Sequence, residues 1–134
     1  MVKIIDASVA IKWFVTEPGR ESALVLLTEV FENPRQFAVP ELFFFELAHV
    51  FHRVLPQATT QQVNLLEQVT VFGWQRFVMT PELLRETRHF QSLGLSGYDG
   101  SYVALAKQLK GRWITADRKA HDRVARLHVS ELLC

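Results

Sequence analysis

The 134-residue sequence contains a single cysteine, Cys134, at its last position. No disulfide can close within such a chain, and a zinc site built on cysteine is excluded. No run of eighteen uncharged apolar residues occurs, so no segment reads as a membrane span. The opening MVKIIDASVAIKWFV is apolar but interrupted by Lys3, Asp6 and Lys12, and it shows no cleavage-site pattern. The expectation is a cytoplasmic enzyme or binding domain. Net charge is also scarce: 15 Lys and Arg against 14 Asp and Glu leave +1, and a total so near neutral does not by itself point to a nucleic acid. With only 6 Gly and 5 Pro, 49% apolar and 22% charged residues, the composition excludes disordered, collagen-like and rod-like coiled-coil chains.

What is present is an alternation of short β-like runs with longer helical ones. VKII (2–5), FAV (37–39), RFVM (76–79), RWIT (112–115) and LHVS (127–130) read as strands. Between them, SVAIKWF reads as a short helix. A second helix opens at Pro18 and places Ala23, Leu24, Leu27, Val30 and Phe31 on one face. Pro40 suits the first turn of a helix reaching toward Pro56. Thr59 or Thr60 caps a helix through Val71, Pro81 starts one that Gly94 ends, Ser96 precedes another, and the last starts at Arg118. Helices alternating with about five strands predict one α/β domain over 1–134, with a mostly parallel sheet between helical layers.

Open parallel sheets bind ligands beyond the carboxyl ends of their strands. Asp6 directly follows the first strand, Asp117 comes two residues after RWIT, and Asp99 stands at the start of the YDGSYVALA helix. Each also suits helix capping, and Ser96 with Asp99 has capping-box spacing. Glu46 is different. It is the one charge among six apolar neighbours in LFFFELA, about 9 Å along the helix from Pro40 and out of capping reach. Burying that carboxylate unpaired costs several kcal/mol or forces protonation. A divalent cation supplies the missing countercharge, and a buried ion pair or a narrower apolar stripe is the structural alternative.

Convergence of Asp6, Glu46, Asp99 and Asp117 would raise their pKa values unless a cation neutralised them. Carboxylates alone favour the hard ions Mg²⁺ or Mn²⁺. Such ions position phosphate oxygens and activate water, which suits phosphodiester hydrolysis.

At IIDAS, VPELFFFELAHVF, LSGYDGSYVALA and WITADRKA the sequence resembles the PIN-domain nucleases, and within them the VapC-type toxin of VapBC toxin–antitoxin pairs. The resemblance covers nearly the whole chain. It implies an α/β/α sandwich whose acidic quartet binds one or two Mg²⁺ or Mn²⁺ ions and cleaves RNA as a metal-dependent endoribonuclease. Asp6, Glu46, Asp99 and Asp117 match the family's acidic positions, with a metal-activated water as nucleophile, and Ser8 matches a polar position beside the metal. His49 stands where the family often has Asn, and Gly100 where Ala is common. His49 could alter hydrogen bonding around the metal. The resemblance also implies a homodimer and an antitoxin laid in a groove near the site, with Trp13 and Phe14 as its expected anchors. A non-catalytic PIN-like module that binds RNA or protein is the alternative reading.

Glu46-x-x-His49 and Glu86-x-x-His89 also match the spacing of di-iron bundles. Pro40, Pro56, Pro81 and Gly94 break the long helices such a bundle requires. Residues 1–67 carry a net −3 and 68–134 a net +4, with seven basic residues between Lys107 and Arg126. Arg112, Arg118 and Lys119 of that block are the expected RNA contacts, because a phosphate chain needs cations along its path.

Overall fold

A computed structural model describes residues 1–133, and Cys134 falls outside the described residues. β1 (Lys3–Ile5), β2 (Phe37–Pro40), β3 (Gln75–Phe77), β4 (Arg112–Thr115) and β5 (Ser130–Leu132) form one sheet in the order β3-β2-β1-β4-β5. Every pairing is parallel. The connecting helices are α1 (Ala7–Ala10), α2 (Arg20–Glu32), α3 (Leu42–Val54), α4 (Thr60–Val69), α5 (Pro81–Ser92), α6 (Gly97–Gln108) and α7 (Arg118–Val124). The architecture is the three-layer α/β/α sandwich expected from the alternation.

The central strands bury apolar residues on both faces because helices cover both. Ile4, Ile5, Phe37, Ala38, Val39, Trp113 and Ile114 are all buried. Helix starts follow local chemistry. Thr59 and Gln62 close a reciprocal capping box on α4. Thr80, Ser96 and Asp117 each accept a first-turn amide hydrogen bond, at 3.1, 3.0 and 3.1 Å respectively. Caps of this kind contribute about 1 kcal/mol each.

Strand order decides where a ligand can sit. From β1 the chain steps outward to β2 and β3, then crosses back to β4 on the other side of β1. The reversal opens a crevice at the carboxyl ends of β1 and β4, which pair in register with Ile5 opposite Ile114. Asp6 continues that pairing by donating its amide to Ile114 O at 3.0 Å.

Several local expectations shift. α2 begins at Arg20 behind Gly19, leaving Pro18 in the preceding turn. Its buried residues are Ala23, Leu26 and Val30, whereas Leu24 and Phe31 are exposed. Pro40 ends β2, paired with Phe77, and does not open α3. β5 lies at 130–132 and not at 127–130, because His128 adopts a left-handed conformation (φ 56°) that turns the chain first. α3 is not buried all round: Phe43, Leu47 and Phe51 enter the core while Phe45 is 73% exposed.

Candidate active site

Asp6, Glu46, Asp99 and Asp117 line one cavity of about 450 Å³ at the carboxyl end of the sheet. They come from four separate segments: the residue after β1, the middle of α3, the first turn of α6 and the cap of α7.

Asp6 is 6% exposed and is fixed by a local net. Its Oδ2 accepts from the Ser8 amide at 3.1 Å, from the Ser8 hydroxyl, and from Thr115 Oγ1 at 3.4 Å. Ser8 Oγ also accepts from the amide of Ala116 at 3.0 Å, and Thr115 Oγ1 accepts from the amide of Asp117 at 3.1 Å. Two hydroxyls therefore hold the loop after β1 against the loop after β4. Burial nevertheless pushes the Asp6 carboxyl above its ordinary range, against the opposing pull of Ser8 and its other hydrogen-bonding neighbours.

Glu46 Oε1 is buried with no hydrogen-bond partner among the described residues. Desolvation raises its pKa, the neighbouring Tyr102 hydroxyl pulls the other way, and the charge of Asp6 adds to the rise. The Tyr102 hydroxyl, beside Glu46, and Trp113 Nε1, beside Asp6, are likewise buried and make no hydrogen bond of good geometry among the described residues. Asp99 is pushed up to about 7, first by desolvation and then by the charges of Asp6, Asp117 and Glu46. Ser96 caps α6 by accepting the Asp99 amide, with no reciprocal bond from the Asp99 carboxylate, which faces the cavity.

These features fit a divalent cation. Four carboxylates share one cavity, an orphaned carboxylate oxygen lines it, and desolvation with mutual repulsion raises Asp99. Among the described residues no three His, Cys, Asp or Glu side chains are gathered closely enough to hold a metal ion between them. An open cavity of carboxylates suits a hard ion that keeps several of its waters and takes only one or two protein oxygens.

Four sequence expectations are corrected. Trp13 and Phe14 are 3% and 6% exposed and belong to the core. Trp13 Nε1 donates to Ala23 O at 2.9 Å and its ring stacks on Trp74, while Phe14 meets Phe51 edge-on. Neither can anchor a partner on the surface. Arg112 opens β4, roughly 10 Å of strand from the cavity end, so it lies at the wrong rim to meet RNA there. His49 is exposed and makes no hydrogen bond to the acids.

Arg118 and Lys119 form the first turn of α7 directly after Asp117. Gly100 reflects close helix packing: a Cβ there would sit 3.1 Å from Thr87 O of α5. Sequence reading missed Thr115, Tyr102, Lys12, Arg53 and Arg123. Arg53 lies two turns beyond Glu46 on one face of α3, a spacing that could have flagged it. Lys12 lines the same cavity, paired to Glu17 at 2.8 Å.

The fold and the crevice together define an all-parallel α/β domain with an acidic site at its switch point. The chain belongs to the PIN domain family, whose model matches residues 3–127. Its fold is similar to that of a toxin–antitoxin complex from Klebsiella pneumoniae, with TM-score 0.72, 14% identity and 98% of each chain covered. It is also similar to VapC20 from Mycobacterium tuberculosis, a sarcin–ricin loop cleaving toxin, with TM-score 0.69 and 10% identity over 90% of this chain and 93% of that one. FitAcB from Neisseria gonorrhoeae gives TM-score 0.64 and 14% identity over 92% and 94%. At these identities the likeness is one of fold. No curated protein sequence matches the chain.

Proposed function

We propose that this protein is a Mg²⁺- or Mn²⁺-dependent endoribonuclease, the toxin of a cytoplasmic toxin–antitoxin pair, with residues 1–134 forming one catalytic domain. The observation that carries this reading is the gathering of Asp6, Glu46, Asp99 and Asp117 from four segments around one cavity, with Glu46 Oε1 unpartnered. PIN domains are generally nucleases, and the similar folds include a toxin that cleaves RNA, which supports the reaction class.

The four carboxylates would hold one or two divalent ions. Bound there, the ion supplies countercharge to phosphate oxygens and lowers the pKa of water. The protein's own groups position and balance charge. Ser8 and Thr115 fix Asp6 Oδ2, Asp117 caps α7 and so keeps Arg118 and Lys119 at the rim, and those cations draw the phosphate chain in. A second, apolar cleft of about 440 Å³ lies between α3, β3, α5 and α6, with Phe45, Val78, Met79, Leu84 and Tyr98 exposed around it. A patch of this kind supports association with protein, in this reading a second copy of the chain and an antitoxin.

The test is cleavage of total cellular RNA in Mn²⁺, Mg²⁺ or EDTA, with Asp6→Asn as control. Discrete fragments are expected with metal and wild-type protein only, and the variant's circular dichroism should be unchanged. Equal activity in the variant, or no cleavage with either ion, would overturn the reading. RNA binding without cleavage would leave a non-catalytic module.

A further inference from the structure

Beside the acidic cavity lies a smaller one of about 180 Å³ that shares Asp99 and Asp117 with it. Its other walls include Gly94, Ser96, Lys119 and Arg123. Lys119 and Arg123 are four residues apart on α7 and so project from the same helix face. Gly94 has φ +102°, a conformation L side chains rarely adopt, and the Arg123 side chain lies directly over it. A Cβ on Gly94 would meet Arg123 Nη1 at 2.5 Å and its Cδ and Cζ at 3.0 Å. The turn between α5 and α6 thus leaves a seat that brings the guanidinium to the start of the helix bearing Asp99. α7 is capped by Asp117, which accepts the Ala120 amide, and is tied to β5 by His121 Nδ1 and Ser130 Oγ at 2.7 Å.

Neither Lys119 nor Arg123 makes an ion pair among the described residues, although two carboxylates line the same cavity. Arg53, and Lys12 in its pair with Glu17, line the larger cavity together with the four acids. Basic side chains therefore border the acids in both cavities. An isolated anion would need one of these places only. A chain of regularly spaced negative charges uses both, and the acids between them match the point where a cation must meet that chain.

We propose that the smaller cavity seats the backbone phosphate next to the scissile one, with Arg123 and Lys119 as positioning residues for single-stranded RNA. The inference rests on the nuclease reading for its substrate but is tested without cleavage. The guanidinium fork matches phosphate oxygens in pairs, and the cavity is several times the ~30 Å³ share of one water, enough for a phosphodiester group.

The experiment measures binding of a fluorescent oligouridylate by anisotropy across a salt series in EDTA. Wild-type protein is compared with Arg123→Gln, Arg123→Lys, Lys119→Gln and Arg112→Gln. Arg123→Gln should weaken binding roughly tenfold and flatten the slope of log affinity against log salt by about 0.7, the value for one phosphate contact on a single strand. Lys119→Gln should flatten it similarly, Arg123→Lys should keep the slope with partial loss of affinity, and Arg112→Gln should match wild type. Wild-type affinity and slope in both Arg123→Gln and Lys119→Gln would overturn the proposal. So would absence of oligouridylate binding, or an oligoglutamate of equal charge that binds as tightly through Arg123. RNA cleavage with unaltered affinity and slope in both Arg123→Gln and Lys119→Gln refutes this subsite alone. Arg123-dependent binding with no metal-dependent cleavage refutes the nuclease reading and leaves the subsite standing.

Discussion

Ser8 Oγ accepts the backbone amide of Ala116 at 3.0 Å, joining positions 108 residues apart. The same hydroxyl donates to Asp6, so one side chain sets the spacing between the two acidic loops. Ser8→Ala removes both bonds and strands a partly buried amide. Stability should fall by about 1–2 kcal/mol, a few degrees in Tm. Mn²⁺ affinity should fall about tenfold, as for other groups that orient metal ligands. Calorimetric titration of both proteins checks this; unchanged Mn²⁺ affinity would show that Asp6 needs no such strut.

Asp99 makes the metal-free protein sensitive to pH. Its carboxyl is raised from 3.8 to about 7, so the folded state binds the proton more tightly than the unfolded chain does. Its contribution to stability is complete below pH 4, declines as pH rises toward 7 and is lost above it. The loss is about 1–2 kcal/mol once screening of a partly exposed group is allowed for. Asp99→Asn should therefore show a shallower fall in Tm between pH 4 and 8. Mn²⁺ should bind wild-type protein more tightly as pH rises through 7, releasing protons. A Tm profile identical in the two proteins would contradict the repulsion.

Glu46→Gln separates folding from ion binding. Removing a desolvated charge beside Asp6 should leave metal-free stability at pH 8 unchanged or raised by up to about 1 kcal/mol. The gain in Tm that Mn²⁺ gives wild-type protein should shrink by at least half in the variant. Thermal melts with and without Mn²⁺ read both quantities, and an undiminished gain would remove Glu46 from the site.

Trp13 and Phe45 should behave oppositely. Trp13→Ala opens a cavity and removes the hydrogen bond to Ala23, at a cost of about 3–5 kcal/mol. Phe45→Ser changes an exposed side chain and should alter stability by no more than about 0.5 kcal/mol. If the apolar cleft mediates self-association, that variant should shift the light-scattering mass toward the monomer. Urea melts give the stabilities, and a wild-type midpoint for Trp13→Ala would contradict its core position.

Much of the fold was legible because its signals are local. Thr59, Ser96 and Asp117 announce their helices through side-chain bonds to amides only a few residues away. Glu46 stood out because a lone charge in an apolar run has no inexpensive structural explanation. Local pattern failed where two outcomes share one sequence signal. From sequence, Trp13 and Phe14 are expected as surface anchors, because an aromatic pair beside a site gives the same signal as a core pair. The packing of Trp74 and Phe51 against them places them in the core. Arg112 belongs to the same basic block as Arg118, yet a strand's length separates them, placing them at opposite ends of the sheet.

The sequence by itself determined the alternation of five strands with helices, several of the helix caps, and that four acids stand at element ends or within an apolar stretch. These depend on neighbours within one or two turns of chain. Only the tertiary structure decided that β1 lies beside β4, that Ser8 reaches Ala116, and that Arg123 folds over Gly94 next to Asp99. Strand order and side-chain direction come from burying surfaces far apart in sequence, and no local spacing encodes them.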